Sequence, residues 1–210
     1  LNEMPTKGVR PKKHPLSDTI LTAELGENEL TALGAKAKQY GVTKFELMLS
    51  VAAVVLGKYC TSEDVVLGIP VNTRDTFSSE IIGMFVNTAP VRIRPKYGAA
   101  LSDYFAETAE NVRRASREAS VPFETLVGLF CKERDDSRNP LFDMSFNYMY
   151  VSEPYDDGEL TIDFTSALQQ MSRDIGFVIR NRKDYTQILM QYSSELFDAD
   201  VVENFLEQFM

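Results

Sequence analysis

Residues Ile82 to Arg92 read IGMFVNTAPVR: an apolar lead-in through Phe85 and Val86, two polar residues at Asn87 and Thr88, and an alternating exit from Ala89 to Arg94. Alternation over that exit is the pattern of a half-buried strand, because successive β residues face opposite sides of a sheet. The stretch therefore puts an amide and a hydroxyl where an apolar segment becomes a strand. Buried donors and acceptors need partners. Asn87 and Thr88 either satisfy backbone groups at a turn or reach into a crevice, and spacing alone leaves both readings open.

Working outward towards the N-terminus, Asp64 to Val71, DVVLGIPV, is β-branched and bounded by polar residues and Pro70, which marks an interior strand entering a polar loop from Asn72 to Ser79. Thr43 with Glu46 three residues later is a capping-box signature. The FELMLSVAAVVLGKY that follows is apolar around most of its circumference, as a helix buried on several sides must be. Asn28 to Tyr40 carries Leu30, Leu33, Ala37 and Tyr40 at helical spacing and stops at Gly41, a residue that accepts positive φ. Ser17 to Ala23 reads as a strand.

Towards the C-terminus, Leu101 to Ala119 sets Leu101, Phe105, Ala109 and Val112 on one helical face, with Arg113, Arg114 and Arg117 on or near the other. Pro122 opens a short helix from Phe123 to Phe130, at a position with no hydrogen bond to lose. After the charged loop CKERDDSRNP, the period changes to two: Phe142, Met144, Phe146, Tyr148 and Tyr150 share one side of a strand, with Asp143, Ser145 and Asn147 on the other. Leu160 to Thr165, Ile175 to Arg180 and Gln187 to Tyr192 read as strands, the last two joined by an NRKD turn into a hairpin. A final helix starts near Asp198 and turns Val201, Val202, Phe205, Leu206 and Phe209 inward. This order predicts an α/β fold with a mixed, largely antiparallel sheet and helices packed on it as a two-layer sandwich. It is not the strict β-α-β repeat of a dinucleotide fold.

Bulk properties narrow the function. A net charge of -9 speaks against a nucleic-acid partner, which needs a cationic face. The longest apolar run, Leu47 to Leu56, is about half of what a bilayer demands, so no membrane partner is expected. Cys60 and Cys131 lie far apart without metal-ligand spacing, and no signal-peptide pattern opens the sequence. They read as structural thiols in a reducing cytoplasm. Leu1 to Pro15 carries Pro5, Pro11 and Pro15 and the basic stretch Lys7 to Lys13, the composition of a solvated linker. The domain division expected is therefore a linker over residues 1–16 and one folded unit over 17–210.

The one histidine, His14, falls in that linker, a poor place for the imidazole of a nucleophilic triad. Phosphate loops, zincin helices, CxxC pairs and calcium-loop spacing are missing, so no metal site and no directly bound cofactor is expected. The acidic pairs Asp135 and Asp136, and Asp156 and Asp157, read as solvated turns. In RDDSRNPL, Arg134 to Leu141, the arginines either bind an acidic partner or, for Arg138, pair with Asp135 or a helix end and hold the loop.

At these residues the chain resembles the condensation domains of nonribosomal peptide synthetases, in the chloramphenicol-acetyltransferase-like superfamily. Three motifs occur in the family's order: IGMFVNTAPVR with Gly83 and Arg92; the VPFE core with Pro122, Phe123 and Glu124; and RDDSRNPLF with Arg134, Asp135, Ser137, Arg138, Asn139 and Pro140. The likeness extends from about Ser17 to the C-terminus and includes DVVLGIPVNTR to Arg74. The leader resembles the linker between the family's two halves. Two departures stand out. The His-His-x-x-x-Asp-Gly motif of the family's N-terminal half is missing, so the chain looks like the C-terminal half alone, with no catalytic residue of its own. Glu118, Ala119 and Ser120 replace the polar residues that usually precede the PFE core.

The resemblance implies peptide-bond formation between two thioesters held on phosphopantetheinyl carrier proteins, whose arms enter a tunnel as substrates. It implies that Met84, Phe85, Asn87 and Thr88 line this half's wall. The loop after Val71 would cross the tunnel floor, and a latch around Tyr155 to Thr165 would reach to the other half. Implied partners are the missing N-terminal half, upstream and downstream carrier proteins and a neighbouring adenylation domain, with self-association of the fragment through its uncovered face. Epimerisation, another acyl transfer, or a non-catalytic docking role are the alternatives.

Overall fold

The computed structural model describes residues 2–15, 18–133, 135–151, 155–156, 161–162 and 173–210. The elements in order are β1 (Asp18–Leu25), α1 (Glu27–Gln39), α2 (Lys44–Tyr59), β2 (Val65–Asn72), β3 (Val86–Ile93), α3 (Leu101–Arg117), α4 (Phe123–Phe130), β4 (Met144–Tyr150), β5 (Tyr155–Asp156), β6 (Thr161–Ile162), β7 (Ile175–Asn181), β8 (Thr186–Ser193) and α5 (Ala199–Phe209). The main sheet runs β1-β8-β7-β4-β2-β3, and β5 pairs with β6. Its β1/β8, β7/β8 and β2/β3 ladders are antiparallel and its β4/β7 and β2/β4 ladders parallel, the mixed sheet the sequence predicts.

The α2 helix starts as its residues dictate. Thr43 Oγ1 accepts from Glu46 N at 3.1 Å, and Glu46 Oε2 accepts from Thr43 N at 2.7 Å, completing the capping box. Glu46 is buried and also takes Arg113 of α3 at 3.0 Å, while Tyr104 donates to Ser50 O at 2.8 Å. One side of the sheet, with Leu67, Ile69, Val91, Phe146, Phe177 and Met190, packs under the helices. On α5, Val202, Phe205, Leu206 and Phe209 are buried as their spacing predicts.

Phe142 departs from the alternation read for it. It lies ahead of β4 and fills the space over Gly68, where an added Cβ would sit 2.2 Å from its Cζ. Its ring also meets Phe123, with centroids 5.6 Å apart. Gly68 is thus required by a close approach, and Phe142 serves the sheet face away from Leu67 and Ile69.

Most of the leader is exposed, Lys7 to Val9 and Pro11 to Lys13 included, but single residues tie it to the folded unit. Asn2 donates to Asp64 O at 2.8 Å and accepts from Val66 N at 2.6 Å, Met4 is buried in the core, and Lys7 N donates to Leu196 O at 2.9 Å. Arg10 forks onto Asp174, with Nη1 to Oδ1 at 2.9 Å, and His14 Nε2 lies 3.2 Å from the same carboxylate. What the reading as a solvated linker leaves out is these anchors, which are single, unevenly spaced residues and invisible to any periodicity. Of the expected latch, only Tyr155–Asp156 and Thr161–Ile162 are described, as an antiparallel pair; the rest of Tyr155 to Thr165 lies outside the described residues.

Candidate functional site: a cleft beside Asn87

The β2/β4 ladder holds only Leu67↔Met144 and Gly68↔Ser145. At Pro70 there is no N–H to continue it, and the strands part. Pro70 lines open cavities of about 720 Å³ and about 510 Å³. The larger is walled by Met84, Asn87, Thr88, Pro122, Phe123 and Glu124, together with Thr73, Asn147 and Arg173. Two of the three sequence motifs therefore meet at one surface.

Asn87 makes them meet. Its Nδ2 donates to Ala119 O at 2.8 Å and to Val121 O at 2.7 Å, and its Oδ1 accepts from Phe123 N at 3.1 Å and Thr88 N at 2.9 Å. Pro122 is the N-cap of α4 and has no side-chain acceptor, so Asn87, 36 residues earlier in the chain, supplies the oxygen that answers the helix's first amide. The turn-satisfying reading of this amide is the one its geometry displays, while the residue still lines the cavity. Glu124, exposed in the first turn of α4, suits the positive end of the helix.

The loop over residues 73–85 closes where Thr73 N donates to Phe85 O at 2.8 Å. Arg74 spans its interior, giving Nη1 to the carbonyls of Ser78 and Ile81 and Nη2 to Gly83 O at 3.2 Å, with its guanidinium 4.3 Å from the centre of the Phe85 ring. Phe85 is thus half-buried beneath Arg74, whereas Phe77, Ile82 and Met84 face solvent. Sequence reasoning reached Arg74 only as the end of a strand and loop. Its role had no periodic signal, and those of Asn147 and Arg173 had none either.

The third motif goes elsewhere. Asp135, Arg138, Asn139 and Pro140 line a separate cavity of about 340 Å³ with His14. Ser137 N donates to Asp135 Oδ1 at 2.9 Å, and the hydrogen bonds of Ser137 hold the Asp135 carboxyl below its ordinary range. Asn139 Oδ1 accepts from Leu141 N at 3.4 Å, and Pro140 O accepts from Cys131 Sγ at 3.2 Å. Arg138 does hold the loop, but its ion pairs are with Glu3 at 3.3 Å and Asp143 at 3.2 Å rather than with the carboxylate of Asp135. Arg134 lies outside the described residues. Arg92 sits further along β3, where its Nε meets Asp64 Oδ1 at 2.7 Å.

Burial raises the Asp143 carboxyl to about 6, and the nearby Asp174 adds to the shift. Burial also pushes on Asp174, but the hydrogen bonds and charges of Arg10 and His14 together outweigh it and hold that carboxyl below its usual value. Cys60 is pushed up to about 12, chiefly by burial, so it stays a thiol rather than a nucleophile. Among the described residues no group of three His, Cys, Asp or Glu is placed to hold a metal, and no single helix is long and apolar enough to cross a membrane.

A family model described as Condensation domain matches residues 1–210. Gramicidin S synthase 2 of Brevibacillus brevis is 30% identical over 213 residues, covering 99% of this chain and 5% of its own length. The chain thus spans about one twentieth of that relative. Among solved structures, a four-domain nonribosomal peptide synthetase bound to AMP and glycine superposes with a TM-score of 0.87 at 22% identity, covering 100% of this chain and 17% of that one. The X-domain from teicoplanin biosynthesis gives 0.86 at 21% identity, covering 99% and 49%. These two likenesses concern the fold.

Proposed function

Since the chain belongs to the condensation-domain family, we propose that it supplies one wall of an amide-forming site between two carrier-bound thioesters. The observation that carries this reading is the cleft where β2 and β4 part at Pro70, walled by α4 under the Asn87 cap and bordered by the 73–85 loop. In the reaction proposed, the acceptor amine attacks the donor thioester carbonyl. A C–N bond forms, the C–S bond breaks, and the amine proton passes to the departing thiolate. Such a step needs proximity, a base and exclusion of water.

This chain's wall meets the first and last of these needs. Thr88, Asn147 and Arg173 offer polar groups to an amide-bearing phosphopantetheine arm, and Met84 and Phe123 offer apolar surface. The base is assigned to residues outside this chain, since His14 is held against Asp174 and does not line the cleft. The remaining half of the domain, two carrier proteins and an adenylation domain are the proposed partners, with the 73–85 loop as the floor and the segment around Tyr155 to Thr165 as the latch. The fragment is proposed to self-associate through the surface meant for its other half.

The experiment is amide formation, read by mass spectrometry, from a donor-loaded and an acceptor-loaded carrier protein. The longer protein carrying this chain is expected to yield the joined product, and residues 1–210 alone to yield none above background. Product from the chain alone would overturn the assignment of the base. No product from the longer protein would overturn the function.

A further inference from the structure

Loops ordinarily turn polar groups to water and apolar ones inward. The 73–85 loop departs from this: beside exposed Thr76, Ser79 and Glu80 it also turns its apolar side chains outward. Its interior is a lattice of polar contacts: three carbonyls on the Arg74 guanidinium, Asp75 N on Ser78 Oγ at 2.9 Å, and Ser78 N on Asp75 Oδ1 at 2.8 Å. Its exterior carries Phe77 at 90% and Met84 at 89% exposure, with Ile82 fully open. No buried apolar side chain of the loop holds this shape; from Phe77 to Met84 the only residue buried is Ser78.

We infer that Arg74 is the positioning residue of this wall, acting as an internal staple that fixes the loop before anything docks on it and so sets where Met84 meets the cleft. The fork geometry carries the inference. A planar guanidinium serves carbonyls at Ser78, Ile81 and Gly83 at once while stacking on Phe85, which a lysine ammonium cannot reproduce. Each carbonyl left without its partner either turns to water or reorders the loop. A loop already ordered loses less conformational freedom when its apolar exterior is covered. The inference rests on the proposed function in one respect only, that the loop belongs to the amide-forming cleft.

The test uses the longer protein carrying this chain, as wild type, Arg74→Lys and Arg74→Ala, with two readouts. Amide hydrogen exchange over residues 75–85 is expected to quicken about ten-fold or more in Arg74→Ala, with Arg74→Lys between it and wild type, while exchange in β2 and β3 stays as in wild type. Turnover of loaded carriers is expected to fall about ten-fold in Arg74→Ala at unchanged KM, with partial rescue by lysine. Unchanged exchange in the loop overturns the staple, whatever the activity. Faster exchange at wild-type turnover overturns the positioning role. If wild type forms no amide, the proposed function fails, and the exchange arm still decides the staple.

Discussion

The two ends of β2 have opposite economies of burial. At its start, beside the starts of β4 and β7, ionisable side chains are buried: Arg10, His14 and Asp174 in one group, and Arg138 with Asp143 in another. At its finish, the 73–85 loop keeps polar groups inside and leaves Phe77, Ile82 and Met84 in solvent. One end is therefore fixed by interactions that fail badly if a partner is lost. The other carries apolar surface whose loss the isolated chain hardly feels. Stability and the proposed recognition surface are housed at different ends of the same strand.

The largest effect that sharpens this contrast is Arg10→Ala, which takes from the buried Asp174 its two-pronged partner and leaves it only His14, and is expected to cost about 3 kcal/mol in urea denaturation. Ile82→Ser, its counterpart at the other end, should stay within about 0.5 kcal/mol. Equal losses from the two would erase the distinction. Asn87→Ala comes next, at about 1–3 kcal/mol, because it leaves Phe123 N and two carbonyls without their partner. A cleft residue with no structural duty would instead change turnover alone.

Smaller still is a dependence on pH. The Asp143 carboxyl, raised to about 6 from 3.8, binds its proton more readily folded than unfolded. Its contribution to stability is full below about 3.8 and is lost as pH rises through 6. Asp174, lowered, has the opposite sign: its contribution is present above 3.8 and fades as pH falls further. Thermal melts should therefore rise as pH falls from 7 towards 4 and decline only below about 3.8, and Asp143→Asn should flatten the upper limb. The smallest effect belongs to Arg92→Ala, whose exposed pairing with Asp64 should leave the denaturation midpoint where it is.

Much of the fold is legible in the sequence because it rests on repetition. The capping box at Thr43, the alternation from Met144 to Tyr150 and the inward stripe of α5 each recur often enough to be read. Motif order also located IGMFVNTAPVR and VPFE, and the structure adds that Asn87 brings them together. What escaped was contact made once. Arg10 reaches Asp174 across most of the chain, Phe142 crosses over Gly68, and Arg74 folds a loop onto itself. Nothing in local composition separates such an arginine from one that is merely solvated.

The cap that Asn87 places on α4 also bears on how long that helix lasts. An eight-residue helix with no buried side chain is far too short to persist alone in water. Its first amide is answered by a side chain of β3, so α4 is expected to persist only while β3 lies beside it. The wall of the cleft is then expected to be no more persistent than the strand that caps it, and amide exchange in α4 should run at least as fast as in β3.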